Sequence, residues 1–168
     1  ALRDRMQLPV IRQNPVIELL PISSGCLSAC TFCQTRLARG RLLSYRPGDI
    51  ISRAERAVGE GVREIWLTSQ DAGAYGMDCD YPLSRLLANL CDISGDFRIR
   101  LGMTSPIWIY EDLDEILNVM EHKKMFKFLH IPLQSGSNHV LADMKRGNTR
   151  EQFVELCDEF RSRFPLGA

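Results

Sequence analysis

The 168-residue sequence predicts an α/β fold, a partial parallel (β/α) barrel of about four strands with flanking helices. Three observations carry that expectation. Short apolar runs alternate with stretches whose apolar residues recur at helical spacing, and each run is followed by a polar loop bearing Gly, Gln, Asp or Cys. Alternating strands and helices imply parallel strands joined by right-handed crossovers, and in such barrels functional groups gather at the C-terminal ends of the strands. The third observation is a limit: four strands are too few to close a barrel, and the sequence stops at Pro165-Leu166-Gly167-Ala168, where another strand is expected.

Residues 1–15, with Pro9, Pro15 and scattered charge, read as a linker. The run 16–22 (VIELLPI) suits a buried first strand. It leads into the loop GCLSACTFC, 25–33, and then into a basic cluster of Arg36, Arg39, Arg41 and Arg46. Pro47-Gly48-Asp49 starts a helix whose face is Ile50, Ile51, Ala54, Ala57 and Val58, closed by Gly59 and Gly61. A second strand covers 62–68 (VREIWLT), followed by the loop SQDAGAYG, 69–76. Pro82 opens a helix with Leu83, Leu86, Leu87 and Leu90 on one face, and 97–103 (FRIRLGM) is a third strand. Leu113, Ile116, Leu117 and Met120 mark the next helix, and 125–131 (MFKFLHI) a fourth strand. Val140, Leu141 and Met144 suggest a short helix. Thr149 with Gln152 forms a capping-box signature for a last one, with the face Phe153, Leu156 and Phe160.

Lys plus Arg and Asp plus Glu each number 21, so no global basic field points to nucleic acid, although a local patch can. No apolar run approaches the roughly 18 residues of a membrane span, and the N-terminal stretch has no signal-peptide core. Six cysteines with 45% hydrophobic residues indicate a chain that needs no disulfide framework, and hence a reducing, cytoplasmic setting.

Cys26, Cys30 and Cys33 place three thiols within eight residues, a donor set for one soft metal centre. A structural zinc wants four protein ligands, so the triad either borrows a fourth, from His122, His130, His139 or another Cys, or leaves one metal position open. The zinc alternative corresponds to a zinc-stabilised RNA-binding module. Cys91 and Cys157 fall on apolar helix faces and Cys79 in a loop, and none is expected to ligate metal. His130, after Phe128 and Leu129, reads as a core histidine. Gln70 and Asp71 stand where a loop meets the strand rim, Gln134 suits hydrogen bonding to a ribose, and Arg146 suits a carboxylate clamp or an exposed helix end. The four arginines behind the thiol loop are either a solvated face or a phosphate-backbone contact.

The CxxxCxxC loop, with Phe32 before its last cysteine, follows the first strand of a strand–helix repeat and resembles the signature of radical S-adenosylmethionine enzymes. A narrower match runs over 25–40, 64–76, 100–106, 128–137 and 140–149 and resembles the methylthiotransferase family, in its archaeal and eukaryotic branch acting on tRNA. The resemblance implies a barrel of the radical S-adenosylmethionine type, with one 4Fe-4S cluster on Cys26, Cys30 and Cys33 whose open iron takes S-adenosylmethionine. It places Phe32, Gln70, Asp71, Thr104, Gln134 and Arg146 against that cosubstrate. It further implies conversion of N6-threonylcarbamoyladenosine in the tRNA anticodon stem-loop to its 2-methylthio derivative, with a flavodoxin-like or ferredoxin-like electron donor. Related transferases act on isopentenyladenosine tRNA or on a ribosomal-protein aspartate. Relatives carry an N-terminal domain holding a second 4Fe-4S cluster and a C-terminal TRAM domain. The expectation is therefore a linker at 1–15 and a core at 16–168 truncated before its last strands, inactive by itself in the full reaction.

Overall fold

The computed structural model describes residue 6 and residues 8–168; the part of the expected linker at 1–5 and 7 lies outside the described residues. In chain order the elements are β1 (Ile17–Pro21), β2 (Ser23–Ser24), α1 (Thr35–Arg39), β3 (Leu43–Ser44), α2 (Pro47–Gly59), β4 (Glu64–Thr68), α3 (Leu83–Asp92), β5 (Arg98–Leu101), α4 (Pro106–Ile109), α5 (Leu113–Met120), α6 (Asn138–Asp143) and α7 (Arg150–Arg163). A 3-10 turn, Ala72–Ala74, follows β4.

β1, β4 and β5 form a parallel sheet in that spatial order. Side chains alternate across it, as period-two geometry requires. Leu20, Ile65, Leu67, Ile99 and Leu101 are buried on the side covered by helices, while Leu19, Trp66 and Arg100 lie on the other. α2 packs on β1, and α3 lies against α2 and α5. The predicted helix faces are the observed ones: Ile50, Ala54 and Ala57 in α2; Leu83, Leu86, Leu87 and Leu90 in α3; Ile116, Leu117 and Met120 in α5. Pro47 sits in the first turn of α2, and Thr149 and Gln152 form the full capping box of α7.

Two expectations need correction. The fourth strand at 125–131 is an extended run that makes one parallel bridge, Ile99 to Met125. Its middle finds another partner: Leu129 N–H donates to Ala168 O at 2.8 Å, and Ala168 N–H to Lys127 O at 3.0 Å. Second, the chain adds a short antiparallel pair, β2 with β3, to an otherwise parallel pattern. The short helix expected around Val140, Leu141 and Met144 is α6, with Leu141 buried and Val140 exposed.

The segment before β1 forms no helix or strand over 8–15, yet it is fastened. Glu18 is fully buried on the helix side of β1, where a lone carboxylate is costly. Arg12 meets it at 2.5 Å and Arg53 of α2 at 2.7 Å, and Arg12 also reaches Glu60. Met6 is buried in the same core.

Candidate functional site

The thiol loop is an excursion whose base is closed by β2 and β3. Gly25 starts it at φ +75, and a Cβ there would stand 2.0 Å from Arg41 O, so this position requires glycine. Cys26 N–H donates to Gly40 O at 3.2 Å, and the Arg36 side chain braces Leu27 O. The outer turn is anchored to α6, with Thr31 N–H and hydroxyl donating to Met144 O and Asp143 O. Trp108 of α4 donates its indole N–H to Ser28 Oγ at 3.1 Å.

The thiols differ. Burial pushes the Cys26 thiol up against a bond from the Ser28 backbone, and Asp71, Cys30 and Cys33 add to the rise. Cys33 is exposed and held below the ordinary thiol range, first by the Thr35 hydroxyl and N–H and then by the charge of Arg146. Cys30 Sγ accepts from Arg146 Nη1 at 3.6 Å. Each thiol thus follows its own protein neighbour, and among the described residues no three His, Cys, Asp or Glu side chains converge on one metal position.

The rim behind the loop comes from the residues that follow β4 and β5. Ser69 Oγ lies 2.8 Å from Ser23 Oγ, joining the end of β4 to the start of the loop. Asp71 is buried, and its Oδ1 accepts from Gly73 N–H at 3.2 Å and Ser105 N–H at 3.0 Å. Burial pushes its carboxyl up against those two bonds and the charge of Arg146. Arg146, 8% exposed, donates to Ser105 Oγ and to Pro132 O at 3.2 Å. A continuous chain therefore runs from Asp71 through Ser105 and Arg146 to Cys30.

Of the sequence-derived candidates, Asp71 and Arg146 belong to that chain. Gln70 Oε1 is buried without a hydrogen-bond partner, and so are Arg146 Nε and Asn148 Oδ1. Thr104 is fully buried, its hydroxyl 3.4 Å from His130 O. Phe32 is 53% exposed beside the thiols, and Gln134 is exposed with φ +78. His130 is also exposed, against the core expectation, because its carbonyl, not its ring, bonds inward to Thr104. His122 accepts from Lys124 N–H and His139 pairs with Asp143. Cys91 is buried as expected, and Cys157 is half-buried. Ser69, Ser105, Trp108 and Asn148 were missed by sequence reasoning; their signal was their place next to or inside the motifs SQDAGAYG, RLGMTSP and MKRGNT.

This donor set fits a metal cluster with a bound amino acid. Three soft sulfurs lie on one short loop. An acceptor and a guanidinium N–H, both unpartnered, suit an ammonium and a carboxylate.

The chain matches the model of the radical SAM superfamily over residues 20–167. It is 46% identical over 161 residues to the threonylcarbamoyladenosine tRNA methylthiotransferase of Drosophila melanogaster, covering 95% of this chain and 29% of that protein. It is 50% identical over 155 residues to a probable threonylcarbamoyladenosine tRNA methylthiotransferase of Archaeoglobus fulgidus, covering 92% of this chain and 36% of that one. The chain thus spans about a third of the length of these relatives. In fold it is similar to the radical S-adenosylmethionine methyltransferase TsrM of Kitasatospora setae, solved with cobalamin and a [4Fe-4S] cluster (TM-score 0.61, 15% identity, 85% of this chain and 29% of that one). It is also similar to the cobalamin-dependent S-adenosylmethionine radical enzyme OxsB (TM-score 0.68, 16% identity, 86% and 22%). With three cysteines on the first rim loop of a parallel β/α sheet and a family match across nearly its whole length, the chain belongs to the radical SAM superfamily.

Proposed function

We propose that this chain is the S-adenosylmethionine-cleaving core of a cytoplasmic tRNA methylthiotransferase that converts N6-threonylcarbamoyladenosine, next to the anticodon, to its 2-methylthio derivative. The observation that carries this reading is the thiol loop tied through Arg146 to a rim with an unpartnered Gln70 acceptor. It stands in a chain 43–50% identical to proteins named for that activity.

Cys26, Cys30 and Cys33 would hold a 4Fe-4S cluster, which when bound supplies the electron for reductive cleavage of S-adenosylmethionine. Gln70 Oε1 would accept from the amino group of the cosubstrate and Arg146 would clamp its carboxylate. Asp71 and Ser105 hold Arg146 in place, while Phe32 and Gln134 would line the adenosine side and the buried Thr104 would support it from behind through His130 O. Orientation is what these residues add: a near-attack geometry at an unactivated C–H needs fixed partners and a dry site. The target base leaves its stack to reach the rim. The electron comes from a flavodoxin-like or ferredoxin-like partner, and a second cluster belongs to residues of the full-length protein outside this chain.

In cells lacking the full-length gene, mass spectrometry of tRNA nucleosides should show N6-threonylcarbamoyladenosine without its 2-methylthio derivative. The wild-type gene restores the derivative, and Cys26→Ala, Cys30→Ala or Cys33→Ala does not. An unchanged nucleoside profile on deletion sinks the reading. One zinc and no labile sulfide in the anaerobically purified full-length protein would favour the zinc-stabilised module instead.

A further inference from the structure

The sheet has one face packed by helices and one that no helix covers among the described residues. On the open face the register sets Leu19 opposite Trp66 and Trp66 opposite Arg100, with Phe128 beyond. The Arg100 guanidinium lies between two rings, 4.9 Å from the Trp66 centroid and 4.6 Å from that of Phe128. Rings on both sides hold a planar cation while leaving its N–H edge open. Among the described residues no carboxylate pairs with it. The nearest acid on this face in sequence, Glu64, accepts the Trp66 indole N–H at 2.8 Å. Leu19 is 57% exposed, and Trp66, Arg100 and Phe128 are half-buried, so the row is partly open to solvent.

The row crosses the sheet just below the rim. Trp66 precedes Thr68, the last residue of β4, by two positions, and Arg100 precedes Gly102, which carries no side chain. At about 3.3 Å per residue the backbone of this row lies roughly 7 Å below the end of β4, which leads into Gln70.

We infer that Arg100, held between Trp66 and Phe128 on the open sheet face, binds the carboxylate of the substrate's N6-threonylcarbamoyl group. The inference rests on the function proposed above. A base that leaves its stack enters with its N6 substituent, whereas the phosphates stay outside at the surface. A planar guanidinium with a free edge matches one carboxylate in two parallel hydrogen bonds. Trp66 and Phe128 also offer apolar walls to the flat carbamoyl group. Arg100 is thus a specificity residue, distinct from the rim groups assigned to S-adenosylmethionine.

The test uses the full-length protein and two anticodon stem-loops that differ only in carrying adenosine or N6-threonylcarbamoyladenosine, with Kd measured at one salt concentration. Wild type should prefer the modified stem-loop. Arg100→Gln should cut that preference by about 10–100-fold and leave binding of the unmodified stem-loop unchanged. Arg100→Lys, which keeps the charge without the fork, should retain part of it. Iron, sulfide and S-adenosylmethionine binding should stay at wild-type levels in both variants, and a loss of them would make Arg100 structural and overturn the inference. Equal weakening on both stem-loops would assign Arg100 to phosphate and overturn it too, as would unchanged preference. If wild type produces the 2-methylthio nucleoside while Arg100→Gln keeps full preference, this inference alone falls. If wild type produces none, the proposed function falls with it.

Discussion

Cys26 and Cys33 share one loop and are pushed in opposite directions, because one is partly desolvated and the other accepts from Thr35 in solvent. A lowered thiol pKa means a larger thiolate fraction at neutral pH, and the thiolate is the nucleophile. In reduced, metal-free full-length protein, iodoacetamide should therefore label Cys33 faster than Cys26 or the buried Cys91, whose thiol is pushed up to about 11. The labelling rate of Cys33 should level off below the pH at which an ordinary thiol does, and Thr35→Val should raise that pH. Peptide mapping by mass spectrometry reads both effects; faster labelling of Cys26 would contradict them. The spacing of these cysteines was legible in the sequence, since three thiols on one short loop are local by construction. Their inequality was not, because it comes from Thr35 geometry and from Arg146, 116 residues beyond Cys30.

At the level of elements, the loop depends on how its first residue turns. Gly25 combines a left-handed φ with a backbone oxygen where a Cβ would stand, so neither strain nor a rotamer change can accommodate alanine. Gly25→Ala should cost about 3 kcal/mol or more and lower the iron retained per chain after anaerobic reconstitution. Denaturant midpoint and iron analysis measure the two; an unchanged midpoint would show that the β2–β3 base can shift. Helices were the most readable elements. Pro47, the capping box of Thr149 and Gln152, and the leucine face of α3 are signals contained within a few turns. The run 125–131 misled for the opposite reason: its apolar pattern is that of a strand, but strand pairing is settled by a distant partner, and Ala168 takes the bonds at Lys127 and Leu129.

For the whole molecule, the asymmetry of the sheet matters most. One face buries Leu20, Ile65, Leu67, Ile99 and Leu101 under helices and includes a fully buried acid, Glu18. That acid joins the segment before β1 to α2 through Arg12 and Arg53. Glu18→Ala would leave Arg53, itself largely buried, without its partner and should destabilise the fold by about 3–5 kcal/mol. Glu18→Gln, which keeps a hydrogen-bond acceptor, should cost less. Urea unfolding of the full-length protein, followed at a probe in this region, tests the order; equal costs would mean that a neutral acceptor recovers nothing and that the charge carries the whole effect. The other face carries no helix among the described residues and holds the Arg100 row, which places a cation below the same rim that carries the thiols.

The sequence by itself determined the alternation of strand and helix, the helix faces and caps, and the triad of Cys26, Cys30 and Cys33 on the first rim loop. Periodicity, capping and ligand spacing are set between residues near in the chain, so one sequence suffices to read them. Only the tertiary structure decided that Asp71 and Ser105 hold Arg146 against Cys30, that Gln70 Oε1 is left unpartnered, that Glu18 is buried between two arginines, and that Trp66 and Phe128 enclose Arg100. Each depends on which distant segments meet and what they exclude from water, and that follows from burial across the whole sheet, not from any local pattern.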